Sequence, residues 1–286
     1  MLKLKDIYIR DPFVLVDGGK YYLYGTTDTQ IWKGRADGFK VYVSEDLENF
    51  EEYVIFKNSD EFWADEQFWA PEVYKYNGKY YLFAAFSKGD NIRRCQILSS
   101  DSPLGPFVPH GGLLFPNETS NLDATFFVEN GKRYTVFCRE WTDIKVGEMC
   151  LAELDEDLKV VGEIKTLFKA NDAPWVFDIG PGLYITDGPF IRKNSKGQYV
   201  MLWSSHGKDG YAMGMAISDK LEGEWKHIEK PLIYPNGGHG MIFEDHEKLF
   251  VTYHMPNNPH MFERAHFVEI EEDEDGVFRL KDNGQL

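Results

Sequence analysis

Hydrophobic and polar positions along this chain follow one unit that recurs five times. Each unit has a short apolar run, a turn and a run rich in aromatic residues, and four of the five open with an acidic residue or histidine. The units are DPFVLVDGGKYYLYG from Asp11, APEVYKYNGKYYLFA from Ala70, DATFFVENGKRYTVF from Asp123, DGPFIRKNSKGQYVMLW from Asp187 and HGMIFEDHEKLFVTYH from His239. Four units take nine steps from their first residue to the residue after the turn, and the unit from Asp187 takes eleven. Strand–turn–strand units spaced 40 to 65 residues apart are typical of a β-propeller.

The turns and the strands after them support this fold. DGGK at 17–20, YNGK at 76–79 and ENGK at 129–132 are strong hairpin signals. In three units an outer strand follows, with an aromatic residue that we expect to fill the gap between blades: Phe50, Phe107 and Trp225. We predict an all-β protein, a five-bladed β-propeller that forms a single domain over residues 1–286, with blades at 11–60, 70–116, 123–170, 187–234 and 239–280. The segment 4–9 is expected to close the ring by pairing with the last blade.

Composition narrows the classes of partner. The chain has 47 acidic and 31 basic residues and a net charge of −16, which argues against nucleic acid and against an anionic membrane. The start, MLKLKDIYIRDPF, lacks the apolar core of a secretory signal, which favours a cytoplasmic location, with secretion as the alternative if a signal was removed. Three cysteines without CxxC spacing are expected to be buried, reduced thiols. Nothing in the sequence points to a particular oligomeric state.

The repeat also predicts where a functional site lies. The innermost strand of each blade runs along the propeller axis, so matching positions in five blades meet in one small volume. A single aspartate there is ordinarily a turn residue. Several carboxyls placed together raise one another's pKa values, which can leave one ionised and one protonated, as acid/base hydrolysis of an acetal requires. The residues expected to converge are Asp11, Glu72, Asp123, Asp187 and His239.

Five short segments, in the right order and over nearly the whole chain, resemble the motifs of glycoside hydrolase family 43. They are RDPF at 10–13, WAPE at 69–72, LDATFF at 122–127, TDGPFI at 186–191 and GHGMIF at 238–243. The resemblance implies a five-bladed propeller that acts on arabinose- and xylose-containing glycans, with an oligosaccharide as its substrate. It also implies that Asp11 is the general base, that Asp123 orients the site and tunes the acid, and that Asp187 is the general acid.

The fourth motif departs from the family pattern, because Asp187 stands where the family usually has glutamate. An aspartate carboxyl reaches about 1.5 Å less far. Inverting glycosidases keep their two carboxyls ~6.5–9.5 Å apart to admit a water. Glu140, in CREW, is the alternative acid, although a salt bridge at the rim is the more ordinary role for it. We therefore predict an inverting, exo-acting glycosidase that removes arabinofuranosyl or xylosyl units. The alternative is a propeller that binds carbohydrate without hydrolysing it.

Further residues are candidates for binding the sugar. Trp175 lies in a loop rich in proline and glycine, which suggests a stacking surface at the pocket mouth, and Trp32 is a candidate for the rim. Trp69 and its neighbour Phe68 suit packing as well as stacking. Arg264 resembles an arginine that the family brings to the site from the closing blade, although it could instead pair with Glu263. The predicted binding set is Trp69, Glu72, Glu140, Trp175, His239 and Arg264.

His239 has two interpretations. By resemblance it lies on the axis close to a hydrated calcium ion, and alternatively it is a neutral core histidine bonded to backbone. Imidazole is a poor direct ligand for calcium, so any contact is expected to pass through water. A structural Ca²⁺ on the axis is thus the one ion considered, and the chemistry itself is expected to need no cofactor.

Overall fold

The computed structural model describes residues 1–285 of the chain, and its regular secondary structure is almost entirely β-strand. Five antiparallel sheets follow one another along the chain, each with four consecutive strands of which the innermost comes first, and the first sheet has a fifth, N-terminal strand at its outer edge. Blades one and two contain β2 (Arg10–Asp17), β3 (Lys20–Thr26), β4 (Gly38–Ser44), β5 (Asn49–Lys57), β6 (Glu66–Tyr76), β7 (Lys79–Ser87), β8 (Arg94–Ser100) and β9 (Val108–Leu113). Blade three contains β10 (Asn121–Glu129), β11 (Lys132–Arg139), β12 (Glu148–Leu154) and β13 (Val160–Lys169). Blades four and five contain β14 (Asp187–Lys193), β15 (Tyr199–Gly207), β16 (Gly210–Ser218), β17 (Lys226–His227), β18 (Gly238–Asp245), β19 (Lys248–Met255), β20 (Arg264–Glu272) and β21 (Phe278–Gln285).

Short helical turns complete the described chain. They are 3₁₀ turns at Leu4–Asp6 and Ala170–Asp172 and a single α-helical turn, α1, at Trp141–Ile144. The five-bladed propeller that the repeats predict is therefore confirmed. Across residues 1–285, no helix has both the length and the apolar character needed to cross a membrane.

The ring does not close in the way that the sequence suggests. The first strand, β1 (Leu2–Lys3), pairs with β5 at the outer edge of blade one, where Leu2 lies opposite Phe50. The expectation that 4–9 pairs as a strand with the last blade is wrong, because β21 already occupies the outer edge of blade five. The segment instead meets that blade through a hydrogen bond from the Ile9 N–H to the Glu263 carbonyl, at 3.3 Å.

The core lies in layers between neighbouring blades and is strongly aromatic. Between blades one and two, Phe39 of β4 packs on Phe68 of β6 with ring centroids 5.8 Å apart. Phe68 is therefore a core residue. The outer-strand aromatics Phe50, Phe107 and Trp225 are all buried, as the sequence predicts. The three cysteines are buried free thiols.

A bulge near the start of every innermost strand defines which positions are equivalent. In each bulge one residue has a positive φ of 46–55°: Asp11, Ala70, Asp123, Gly188 and His239. This conformation is costly for most side chains, and aspartate and glycine tolerate it better than others. Gly188, and not Asp187, is therefore the structural equivalent of Asp11 and Asp123. The sequence alignment that placed Asp187 with these two residues is wrong by one position.

Candidate active site

The bulged ends of the innermost strands surround a cavity of about 240 Å³ on the propeller axis. Four carboxyl groups, two arginines, one histidine and several aromatic side chains form its wall. The lining includes Arg10, Asp11, Trp32, Trp69, Arg93, Asp123, Glu140, Trp141, Asp187, Tyr211 and His239. A larger cavity of about 450 Å³, at the outer edges of blades two and three, contains none of these side chains. The axial cavity is therefore the candidate site.

Asp11 is surrounded by hydrogen-bond donors. The Thr26 hydroxyl donates to Asp11 Oδ2 at 2.7 Å, and His239 Nδ1 lies 3.2 Å from Oδ1. Burial raises the pKa of Asp11, but the nearby imidazole of His239, the positive charge of Arg10 and the Thr26 hydrogen bond together outweigh it, so this pKa lies below its usual value. Asp11 is consequently ionised at neutral pH.

Asp187 has the opposite environment. Burial raises the pKa of Asp187 to about 7, the hydrogen bond from Tyr211 opposes this rise, and the charge of Glu140 adds to it. The Tyr211 hydroxyl donates to Asp187 Oδ2 at 3.1 Å. Asp187 can therefore hold a proton close to neutral pH, while Asp11 across the same cavity cannot.

Asp123 connects the other two carboxyls. Its Oδ2 accepts a hydrogen bond from the Gly188 N–H at 2.9 Å, so it anchors the bulge that follows Asp187. Burial raises the pKa of Asp123 well above its usual range, and the charge of Asp187 raises it further. Because these two carboxyls interact strongly, they titrate as a pair that keeps a proton well above pH 4.

His239 lies on the axis, as predicted. Its backbone N–H donates to Ser204 Oγ at 2.8 Å, and its ring packs so closely on Gly188 that a Cβ there would lie 2.6 Å from His239 Cδ2. Burial lowers the pKa of His239, so the ring is neutral, and its Nδ1 lies 3.2 Å from Asp11 Oδ1. Among the side chains that the structure describes, those of residues 1–281, no three from His, Cys, Asp or Glu are grouped to hold a metal ion. With Nδ1 facing a carboxylate and the ring against backbone, the residues do not fit a directly coordinated calcium.

Glu72 is misplaced in the prediction. Ala70, and not Glu72, occupies the position equivalent to Asp11, so Glu72 lies two residues deeper along its strand. There it is buried outside the cavity wall and accepts a hydrogen bond from the Tyr74 hydroxyl. Burial raises the pKa of Glu72 to about 8, so it is a neutral interior acid and not a substrate ligand.

Glu140 belongs to the cavity wall, where it forms an ion pair. Arg93 donates to both of its carboxylate oxygens, one through Nε at 2.8 Å, and the Ser120 hydroxyl donates to Oε2 at 2.5 Å. The pair is buried and not at an exposed rim, since the side chains of Arg93 and Glu140 are 7% and 6% exposed. With its oxygens engaged in this way, Glu140 is a wall residue that holds Arg93 in place.

Of the tryptophans predicted to contact the sugar, Trp69 and Trp32 line the cavity and Trp175 does not. Trp69 lines the cavity, donates from Nε1 to the Ile31 carbonyl at 2.9 Å, and meets Trp32 edge to face at 5.4 Å. Trp32 is 57% exposed and forms the mouth, and Trp141 of α1 joins the opposite wall. Trp175 is wrongly predicted as a stacking surface. It is 5% exposed and packs on Trp203 with ring centroids 4.9 Å apart.

Arg264 is also wrongly placed by the sequence. Its guanidinium donates to the carbonyls of Lys5 and Glu263 at 2.7 and 2.8 Å, away from the cavity. Successive residues of an extended segment point to opposite sides. The Glu263 side chain accordingly points the other way and accepts from Arg10 at 2.6 Å. The arginine that reaches the cavity from the junction of the first and last blades is thus Arg10.

Sequence reasoning missed four residues of the site. Arg10 and Arg93 line the cavity, Tyr211 bonds Asp187, and His254 accepts a hydrogen bond from the Asp11 N–H at 3.1 Å. Arg10 could have been found, because it directly precedes Asp11 in the RDPF motif. The other three lie on second or third strands and adjoining loops, where no repeated spacing marks them.

The comparisons with known proteins agree with this geometry. The family model described as "Glycosyl hydrolases family 43" matches residues 6–278. A solved structure described as an endo-arabinase from Bacteroides thetaiotaomicron VPI-5482 is 35% identical, with a TM-score of 0.87 over 96% of this chain and 98% of that one.

The matches to two curated relatives cover a smaller share of those proteins. A xylosidase/arabinosidase from Bacteroides ovatus is 32% identical over 113 residues, which is 36% of this chain and 35% of that protein. Another from Thermoclostridium stercorarium is 25% identical over 299 residues, which is 92% of this chain and 62% of that protein. This chain therefore spans less than two thirds of the length of both curated relatives.

Proposed function

Because this chain belongs to glycosyl hydrolase family 43, we propose that it is an inverting glycosidase that removes terminal arabinofuranosyl or xylosyl units from plant-type oligo- or polysaccharides. One observation carries the proposal. Two carboxyls on one cavity have pKa values shifted in opposite directions, that of Asp11 below its usual value and that of Asp187 to about 7. An ionised base and a protonated acid are what single-displacement hydrolysis of an acetal requires. This arrangement favours hydrolysis over binding alone.

In the proposed reaction each carboxyl has one task. Asp11 takes a proton from a water whose oxygen forms a bond to the anomeric carbon. The bond from that carbon to the leaving oxygen breaks, and Asp187 supplies the proton that this oxygen needs. Asp123 holds the Gly188 bulge, which directly follows the acid. Two proton transfers complete the reaction, so no cofactor takes part.

The choice of Asp187 over Glu140 as the acid rests on their contacts. Both oxygens of Glu140 accept from Arg93, whereas Asp187 accepts from a neutral tyrosine hydroxyl that leaves its proton available. Asp187 also lies at the cavity wall, one residue before the bulge.

Substrate preference follows from the shape of the cavity and from the relatives. A volume of about 240 Å³ with Trp32 at its mouth suits one sugar ring, which supports removal of terminal units. Trp69 and Trp141 supply apolar walls, and the Glu140–Arg93 pair and His239 supply polar groups for sugar hydroxyls. The names xylosidase/arabinosidase and endo-arabinase of the relatives support a pentose as that ring.

The experiment compares the wild type with Asp187→Ala on aryl α-L-arabinofuranosides, aryl β-D-xylosides and unactivated pentose oligosaccharides. A phenolate of low pKa leaves without help from an acid, so the variant should lose far more activity on the oligosaccharides, by roughly 10²–10⁴-fold. Proton NMR of the first product should show the inverted anomer. Asp101→Asn, a change at an exposed aspartate, is the control.

Three outcomes would contradict parts of this proposal. A retained anomeric configuration would exclude the single-displacement mechanism. Equal losses on activated and unactivated substrates would make Asp187 a binding residue. Internal cleavage of linear arabinan, seen as oligomers before any free arabinose, would exclude exo action.

A further inference from the structure

The carboxyl proposed as the base lies at a costly backbone position that a histidine from another blade supports. Asp11 has a φ of 51°, and its N–H donates to Nδ1 of His254, which is 0% exposed on β19. A backbone N–H can only donate, so Nδ1 must carry a lone pair. Burial lowers the pKa of His254 to about 4, so the ring is neutral and its one proton lies on Nε2.

Asn257 accepts a hydrogen bond from that Nε2–H. Its Oδ1 lies 3.0 Å from His254 Nε2 and 2.9 Å from Arg10 Nη2. A guanidinium only donates, so the amide oxygen of Asn257, and not its nitrogen, must face Arg10. The same oxygen then accepts from Nε2–H. Arg10 thus fixes the orientation of the amide, and the amide fixes the tautomer of His254.

We propose that Asn257 is a positioning residue for the hydrolysis: by accepting from His254 and Arg10 together, it holds Asp11 in the geometry from which it activates water. The inference rests on the proposed role of Asp11 as the base. In the other tautomer the proton on Nδ1 would oppose the Asp11 N–H and would turn to Asp11 Oδ1, 3.5 Å away. The backbone would lose its acceptor, and the carboxylate would gain a donor that lowers its basicity.

The loop that carries Asn257 is built to keep it in place. The Asn257 N–H donates to the Asn236 carbonyl at 2.7 Å. Next to it, the Asn258 N–H donates to Asn236 Oδ1 at 3.0 Å, and Asn236 Nδ2 donates to the Asn258 carbonyl at 2.6 Å. The link before blade five therefore fastens the backbone of this loop and leaves the Asn257 side chain free to serve the site.

The test uses Asn257→Ala, Asn257→Asp and the matched control Asn258→Ala, whose side chain is exposed in the same loop. Asn257→Ala should lower kcat by roughly 10²-fold, the loss expected from a small misplacement of a reacting group. KM should change little, because Asn257 does not line the cavity. Asn257→Asp keeps the acceptor oxygen and should recover most of the kcat at pH 7, and Asn258→Ala should behave as the wild type.

A second measurement does not depend on activity. Nitrogen-15 NMR of labelled histidine should show His254 as the Nε2–H tautomer in the wild type and in Asn257→Asp, and as a mixture in Asn257→Ala, with His254→Gln assigning the signal. Unchanged kcat and tautomer in Asn257→Ala would overturn the inference, as would an Asp variant no better than the Ala variant. If Asp11→Asn instead retains full activity, the proposed function fails, and the tautomer result still decides whether Asn257 holds His254.

Discussion

Blades one and four present the same backbone feature to the cavity and make opposite use of it. In blade one the bulge residue with positive φ is Asp11 itself, whereas in blade four that residue is Gly188 and the carboxyl stands one position earlier, on Asp187. Asp11 accepts from the Thr26 hydroxyl and lies beside the His239 imidazole, and both help to keep it ionised. Asp187 is buried beside negatively charged groups, and both effects raise its pKa so that it keeps a proton. One scaffold thus yields a base and an acid, and the surroundings of each carboxyl decide which it is.

The largest effect should come from Asp11→Asn, which removes the base and keeps the backbone. Asparagine also tolerates positive φ, so the bulge should survive. Turnover of aryl and natural substrates alike should fall by roughly 10²–10⁴-fold, because a positioned base contributes about that much. Steady-state kinetics measure the loss, and circular dichroism verifies the fold. Activity close to that of the wild type would show that Asp11 is not the base, and the assignment of base and acid to blades one and four would then be wrong.

A smaller effect is expected from Gly188→Ala, which changes blade four at the position equivalent to Asp11. A Cβ at Gly188 would lie 2.6 Å from the His239 ring, and φ is +50°. The clash and the unfavourable φ together should lower the free energy of unfolding by about 1–3 kcal/mol. We also expect kcat to fall, because the added methyl group would displace both the His239 ring and the adjacent Asp187. Thermal melts and kcat are the two measurements.

The matched control for that change is Gly197→Ala, in the hairpin of the same blade. Gly197 has a φ of +78° and open space around its Cα, so it isolates the cost of positive φ, roughly 1–2 kcal/mol. Its kcat should equal that of the wild type. Equal kcat in both variants would show that the contact between Gly188 and His239 does not set the position of the acid.

The smallest effect should come from Tyr211→Phe, which sharpens the contrast in pKa. The Tyr211 hydroxyl donates to the ionised form of Asp187 and so lowers its pKa. Removing it should raise that pKa and move the basic limb of the pH profile of kcat/KM upward from about 7, by roughly one unit or less. The acidic limb, set by Asp11, should stay in place. The other charged groups that act on Asp187 are Glu140, Asp11 and Arg10, and all remain. A downward shift of the basic limb would contradict the assignment of Asp187 as the acid.

The sequence was sufficient for the five blades, because hairpin turns and nine-step spacing are local signals that recur. It also identified Asp11, Asp123 and Asp187, since the repeat brings the starts of the inner strands to one axis. It could not show that the fourth unit is offset by one residue, because the hairpin that follows differs in length. Glu72 was misread for a related reason: spacing alone does not reveal which residue of WAPE takes the bulge.

The sequence also could not show how deeply a side chain is buried or which distant segments come into contact. Proline and glycine around Trp175 indicate a loop but not how deeply its side chain lies. The loop folds against blade four, where Gly214 leaves room for the indole and a Cβ would lie 2.4 Å from it. Arg10 meets Asn257 and Glu263 across 247 and 253 residues of chain, a pairing for which no local pattern exists.

The way in which the first and last blades meet has a consequence for inactivation. Each of these blades is built from consecutive strands, so chain ends far apart in sequence lie side by side. Several contacts across this seam belong to the site itself, including the hydrogen bonds from Arg10 to Glu263 and from the Asp11 N–H to His254, and the 3.2 Å approach of His239 to Asp11. A slight parting of the seam would separate these groups while every sheet kept its own ladder of hydrogen bonds. Catalysis therefore depends on the integrity of the ring, and local opening should abolish it before the blades themselves begin to melt.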